Sequence, residues 1–258
     1  MLIKDSAVCI RAVDYSETSQ VVTFFARATG KISAIAKGSK RAKSAFDGPI
    51  EVLSSGCAVF SDSQKEKLAV LTEFQQQPSP AGLRNNLYVL NCCLFAAELL
   101  GDLTHDHDPH PELFDCFAQF LRDVGQNRPS THEHREVLIL LILFQLALLK
   151  EVGLQPVLDR CANCKTRYAP PDTSPERRAT SHDFYFSSSA NGLICRDCEA
   201  AFIDKTKLTR KAAECLANLK MIARAEQKSL SEIEKALVHH FTEILRRPPK
   251  MAKHVVRG

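Results

Sequence analysis

Along the first eighty or so residues, apolar positions come in short runs. Val8 to Tyr15, Val21 to Arg27, Lys31 to Lys37, Ile50 to Phe60 and Leu68 to Phe74 are rich in Val, Ile, Phe and Ala. Turn-forming stretches separate them: Ser16 to Ser19, Ala28-Thr29-Gly30, Asp47-Gly48-Pro49 and Ser61 to Gln64. This spacing predicts five short strands in a small closed barrel or sandwich, since closure removes the edges that short strands otherwise expose.

The pattern changes after Gln75-Gln76-Gln77-Pro78-Ser79-Pro80. Leu83, Leu87, Leu90, Leu94, Ala97 and Leu100 recur at three- and four-residue steps and predict a helix with one apolar face. Leu113, Phe117, Phe120 and Leu121 predict a second helix. Residues Glu133 to Val152 are apolar nearly all round, so this helix belongs at the centre of its domain; Gly153 and Pro156 end it. Residues 165–183 are polar and proline-rich, which predicts a loop, and Phe184 to Ser187 with Gly192 to Ile194 predicts a hairpin. Further on, Ala212, Cys215, Leu216, Leu219 and Ile222 fall on one helical face. Ser229-Leu230-Ser231-Glu232 matches a capping box ahead of Ile233, Leu237, Phe241 and Leu245. The fold class read here is α+β in two domains. A five-stranded barrel spans 1–80. A helical domain spans 81–258, with an inserted cysteine-bearing segment at about 158–200.

Composition narrows this picture. Of 258 residues, 45% are hydrophobic and 25% charged, which excludes wholesale disorder. The longest uncharged apolar run, Val137 to Leu149, is thirteen residues long, against ~20 for a bilayer-crossing helix. The first residues lack a basic region followed by a long apolar one, so no signal peptide and a cytoplasmic, nucleoid-associated location are expected. In that compartment cysteines are free thiols or metal ligands. The net charge of +4 is uneven: +2 over 1–80, −4 over 81–198 and +6 over 199–258. Basic ends around an acidic middle fit a polyanionic partner.

Ten cysteines divide into two groups. Cys9, Cys57, Cys92, Cys93, Cys116 and Cys215 lie in apolar stretches and are expected to pack as small hydrophobes. Cys161/Cys164 and Cys195/Cys198 form two Cys-x-x-Cys pairs, the pattern of a tetrahedral four-thiolate zinc site. The thirty residues between the pairs exceed the usual ~15–20, but doubling a flexible loop costs only ~0.6 kcal/mol. Disulfides or redox pairs are the alternatives. Four cysteines leave no open position, so one structural Zn2+ per chain is expected, not a catalytic one.

A second feature is Lys37-Gly38-Ser39-Lys40-Arg41-Ala42-Lys43-Ser44. Cations release counterions from a phosphate backbone, while Ser hydroxyls and backbone N–H groups donate to it. Lys37, Lys40, Arg41, Lys43 and Ser44 are therefore candidate DNA contacts, with Lys205, Lys207, Arg210 and Lys211 as a second basic surface. His105 to His110 carries three histidines and two aspartates and reads as an exposed loop. There is no Walker spacing, Gly-x-Ser-x-Gly or His-Glu-x-x-His, and no acid–base set stands out, so binding is expected and an enzyme is not.

These residues resemble the RecO family of bacterial recombination mediators over nearly the whole chain. Lys37 to Phe46 is similar to the family's basic loop after the third strand. Leu83 to Leu100 with Tyr88 and Glu98-Leu99, then Leu113-Phe114, is similar to its helical part. Leu148 to Leu158 leading into Cys161-Ala162-Asn163-Cys164, with Phe184 to Phe186 and Cys195/Cys198 downstream, is the most specific segment. The resemblance implies an N-terminal OB-fold joined to a helical domain with a zinc knuckle. It implies binding of single- and double-stranded DNA, annealing of complementary strands, and cooperation with RecR. It also implies action on DNA coated by single-stranded DNA-binding protein, helping RecA replace the coat. A zinc-ribbon RNA- or transcription-associated adaptor is the alternative. The 165–183 loop departs from the family pattern, and so does the supply of aromatics. The N-terminal module has no Trp, and Tyr15, Phe24, Phe25, Phe46, Phe60 and Phe74 are expected mostly in its core. Phosphate contact is therefore expected to outweigh base stacking.

Overall fold

A computed structural model of the chain describes residues 2–41, 44–46, 48–61, 68–77, 82–126, 133–168 and 184–256. It divides into two compact units, Met1–Thr131 and His132–Gly258.

The first unit is built on β1 (Leu2–Asp14), β2 (Gln20–Ala26), β3 (Gly30–Ala36), β4 (Ser55–Ser61) and β5 (Ala69–Gln76). They close into a barrel of order β1-β2-β3-β5-β4. β3 and β5 run parallel; the other pairs are antiparallel. Alternation sets the faces. In β3, Ile32, Ala34 and Ala36 are buried while Lys31, Ser33 and Ile35 are only half-buried. Small inward residues such as Ala34, Ala58 and Ala69 leave room for Phe24, Phe60 and Phe74. The Phe24 and Phe74 rings meet at 4.9 Å. β1 runs along both β2 and β4, with a bulge between Cys9 and Arg11. β4 begins at Ser55; the stretch from Ile50 to Ser54, expected as strand, instead turns through Leu53 at φ +71°.

Three helices complete this unit: α1 (Gly82–Asn85), α2 (Leu87–Leu103) and α3 (Pro111–Gln126). Asn86 Oδ1 accepts from the N–H groups of Tyr88 and Val89 and starts α2. The expected row is buried in part: Leu83, Ala97 and Leu100 are buried, Leu90 and Leu94 half-buried and Leu87 exposed, while Tyr88, Val89, Cys92, Phe95, Ala96 and Leu99 add to the buried face. Phe25 meets Phe114 of α3 at 6.3 Å, and the Lys31 ammonium donates to the carbonyls of Gly101 and Thr104. Lys31 also bridges to Asp106, which makes the histidine-rich loop a structural strap.

The second unit contains α4 (Glu133–Glu151), β6 (Phe184–Ser187), β7 (Gly192–Cys195), β8 (Thr206–Leu208), α5 (Arg210–Ala217), α6 (Gln227–Leu245) and α7 (Ala252–Val255). The expected hairpin is β6–β7. The sequence pattern does not announce β8, which adds a third strand in the order β7-β6-β8. The capping box is also corrected. α6 starts at Gln227, and Glu232 accepts from the N–H and Oγ1 of Thr209, the N-cap residue of α5. Leu219 lies after α5, in a 3-10 turn, and is exposed. α4 is buried on most sides between Val137 and Leu149, while Ile139, Leu140, Leu143 and Ala147 are half-buried. Its one buried amide, Gln145, donates from Nε2 to both carboxylate oxygens of Glu234 in α6, at 2.9 Å each.

Candidate nucleic-acid interface and metal centre

The basic loop leaves β3 at Lys37 and is fixed by its backbone. Gly38 has φ +73°, a conformation that favours glycine. Its N–H donates to Ser19 Oγ at 3.2 Å, the Lys40 N–H donates to the Thr18 carbonyl at 3.1 Å, and Arg41 N–H returns to the Gly38 carbonyl. Beneath it sits Gln20, a buried residue that sequence reasoning passed over. Gln20 Oε1 accepts from the Ser39 hydroxyl at 3.0 Å and from the Ile50 N–H at 2.9 Å, and its Nε2 donates to the Ile50 carbonyl. Both ends of the loop are thereby held to one amide, and Phe46 is buried in the barrel core. Ser44 Oγ accepts from the N–H groups of Phe46 and Gly48, so its O–H remains the group able to donate outward.

Lys37 and Arg41 are exposed on this frame, while Lys40 pairs with Asp14 at 2.8 Å. Lys43 lies outside the described residues. The second basic surface is more committed to its own carboxylates. Lys205 donates to the Glu199 carbonyl and pairs with its carboxylate, both at 3.1 Å, and lies over the Tyr185 ring. Arg210 pairs with Glu214 at 2.7 Å and Lys211 with Glu226 at 2.6 Å. Lys207 is exposed on β8. The last two pairs are largely exposed, and such pairs are weak enough for a phosphate to compete.

The four cysteines come together as their spacing predicts. Their sulfurs all lie within 4.8 Å of one another, with Cys164 and Cys195 Sγ 3.7 Å apart. The four sulfurs form one cluster and not two separate pairs, with no disulfide among them. A tetrahedron with ~2.3 Å metal–sulfur bonds has edges of about 3.8 Å, so the donor set fits zinc. The two turns are held in register by backbone. Ala162 N–H donates to the Leu193 carbonyl at 2.7 Å. Val157 N–H donates to the Asn191 carbonyl, and Leu193 N–H returns to the Val157 carbonyl. Cys195 N–H points at Cys161 Sγ at 3.4 Å. Gly192, at φ +152°, lets Val157 pass; a Cβ there would collide with the Val157 carbonyl. The sulfurs differ in acidity. Hydrogen bonding to Thr166 lowers Cys164 to about 6, while burial raises Cys195 to about 12. Among the described residues these four are the group able to hold a metal. Cys9, Cys92, Cys93 and Cys215 are buried and Cys57 and Cys116 half-buried, as expected of packing residues. Among the described residues no helix is long and apolar enough to cross a membrane.

Comparison with known proteins covers both units. Residues 1–77 match the family model "Recombination protein O N terminal" and residues 84–253 match "Recombination protein O C terminal". The chain is 32% identical over 198 residues to the DNA repair protein RecO of Anaeromyxobacter sp. (strain K), covering 76% of this chain and 70% of that protein. It is 27% identical over 250 residues to the DNA repair protein RecO of Bacillus pumilus, covering 94% of this chain and 89% of that one. A RecO of Rhodopirellula baltica is 33% identical over 192 residues, or 74% of this chain and 65% of the relative.

Proposed function

Because the chain belongs to the recombination protein O family, we propose that it is a non-catalytic mediator of DNA repair and recombination. It binds single- and double-stranded DNA, anneals complementary strands, and with RecR helps RecA replace single-stranded DNA-binding protein. The observation that supports this reading best is the basic loop, whose backbone at Gly38 and Ser39 is held on a closed barrel by Ser19 and Gln20 and whose Lys37 and Arg41 are exposed. Cations on a held backbone suit a phosphate backbone and carry no base code. Neutralising two strands at once lowers their mutual repulsion and favours their pairing. Within the chain, residues 1–80 are the DNA-binding module of this reading. Lys37, Lys40, Arg41, Lys43 and Ser44 are the primary contacts, with Lys205, Lys207, Arg210 and Lys211 secondary.

One Zn2+ held by Cys161, Cys164, Cys195 and Cys198 is the metal proposed. Bound there, it neutralises four clustered thiolates and contributes folding energy. The residues around it orient the sulfurs and hold the β6–β7 hairpin against the Cys161 turn.

Replacing Lys37, Lys40 and Arg41 by Ala tests the reading. The slope of log affinity against log salt on single strands should flatten by about two, at roughly 0.7 for each phosphate no longer neutralised. An unchanged slope would remove the loop from the interface. Competition by RNA equal to that by DNA, with no annealing activity, would favour the RNA- or transcription-associated adaptor instead.

A further inference from the structure

Among the described residues of this unit, helices cover one end of the outward face of β1 and β2. Ile10 and Phe25 point out of the barrel and are buried, with α2 and α3 packed against β1 and β2. Towards the loop end the same face is more exposed among the described residues. Val13 pairs with Val21, Val21 with Ile35, and Ile35 with Val70, a cross-strand apolar row on four strands. Val13 is 47% exposed, the other three are half-buried, and Tyr15, just beyond Val13, is 67% exposed.

This apolar ridge is rimmed by cations. Arg11 is exposed on the same face, and the turn that carries Tyr15 is hydrogen-bonded to the basic loop through Thr18 and Ser19. The loop's backbone thus joins the 15–19 turn, and Lys40 pairs with Asp14, the residue before Tyr15; Glu17 is the other acid of that turn. Solvent-facing apolar and aromatic groups beside cations match a polymer that is both anionic and apolar-faced. Single-stranded DNA is such a polymer, because its base faces are accessible, whereas a duplex hides them in its stack. In barrels of this type the strand 2–3 face and the loop between strands 1 and 2 are where oligonucleotides lie.

We propose that Tyr15, at the end of the strand that carries Val13, is a base-stacking platform that gives the barrel a preference for single-stranded over duplex DNA. This rests on the DNA-binding reading above and adds to it. The basic loop holds phosphates of either form, and Tyr15 supplies the contact that only unpaired bases can make. Phe24, Phe25, Phe46, Phe60 and Phe74 are buried, as expected of most aromatics of this module, and Tyr15 is the exposed one.

The test uses the full chain. Tyr15→Ala should weaken binding to an oligo-dT strand by about tenfold, the scale of removing one stacked base. It should change duplex affinity by less than about twofold, and it should leave the salt slope unchanged because every phosphate partner stays in place. Tyr15→Phe should restore single-strand binding. The chain has no tryptophan, so Tyr15→Trp supplies a sole indole. Its fluorescence should be quenched by oligo-dT and not by heparin, a polyanion without bases. Equal losses on both DNA forms, a changed salt slope, or no effect of Tyr15→Ala while the Lys37/Lys40/Arg41 variant lowers the slope would each overturn the stacking role and leave the binding reading standing. Wild-type protein that binds neither form would overturn both.

Discussion

α6 carries two buried ionisable groups whose effects on stability run in opposite directions. Glu234 is fully buried, and burial raises its carboxyl from the ordinary 4.5 to about 7. Its partner opposes this: Gln145 Nε2 donates to both carboxylate oxygens, which favours the charged form, but burial prevails. His240, further along α6, is buried against Phe186, and neither ring nitrogen has a hydrogen-bond partner among the described residues. Burial first, and then the charge of His239, lowers it from 6.5 to about 4, with Asp204 opposing. For Glu234 the folded state holds its proton longer than the unfolded state, so stability falls as pH rises from 4.5 through 7. For His240 the unfolded state takes up the proton first, so stability falls as pH drops from 6.5 through 4. At about 1.4 kcal/mol per pH unit, each effect amounts to about 3 kcal/mol when complete. Between pH ~4.5 and ~6.5 the two slopes largely cancel.

Glu234→Gln should therefore make stability rise with pH across that window, His240→Leu should make it fall, and the double variant should be flat again. Urea unfolding followed by far-UV circular dichroism reads this directly. Comparing variants cancels the contribution of the thiolates and of every other common group. Glu234→Gln with a pH profile parallel to wild type would refute the reasoning, because it would mean that the buried carboxyl titrates alike in both states.

Other outcomes follow from single interactions. Asp14→Asn releases Lys40 and should tighten DNA binding at low salt, with the gain vanishing at high salt, as a salt titration would read. Gln20→Leu strands the Ser39 hydroxyl and both polar groups of Ile50; it should cost about 2 kcal/mol or more in urea unfolding and weaken DNA binding without removing a charge. Gly192→Ala should push β7 away from Val157 and lower the metal content of purified protein, measured by elemental analysis. Stripping the metal with a chelator should disrupt the β6–β7 hairpin, visible in hydrogen exchange, while leaving the barrel's salt slope for single strands unchanged.

Five strands were readable because a small barrel imposes a strict two-residue alternation, which β3 keeps along its whole length. The cysteine pairs were readable because two-sulfur turns demand that spacing. What escaped reading depends on contacts distant in sequence. Gln20 looks like a turn residue until Ser39 and Ile50 arrive on either side of it. Glu232 fits a cap for its own helix, yet its carboxylate binds Thr209 instead, because α6 begins two residues before the motif. Three residues of β8 carry too little pattern to announce a strand, and only pairing with β6 defines it. Tyr15 continues the apolar run of β1 and reads as part of that strand, although the strand ends one residue before it.

The barrel is closed unevenly. β1 forms long ladders with β2 and β4, whereas the β3–β5 seam consists of three paired positions, Ala34 to Ala36 against Ala69 to Leu71. Thermal fluctuations that open the cylinder will do so there first, since few bonds need to break and the long ladders can stay intact. The barrel then behaves as a clasp. Amides along this seam should exchange with solvent ahead of those in the β1 ladders, and a strand lying across Ile35 and Val70 would slow them by holding the clasp shut.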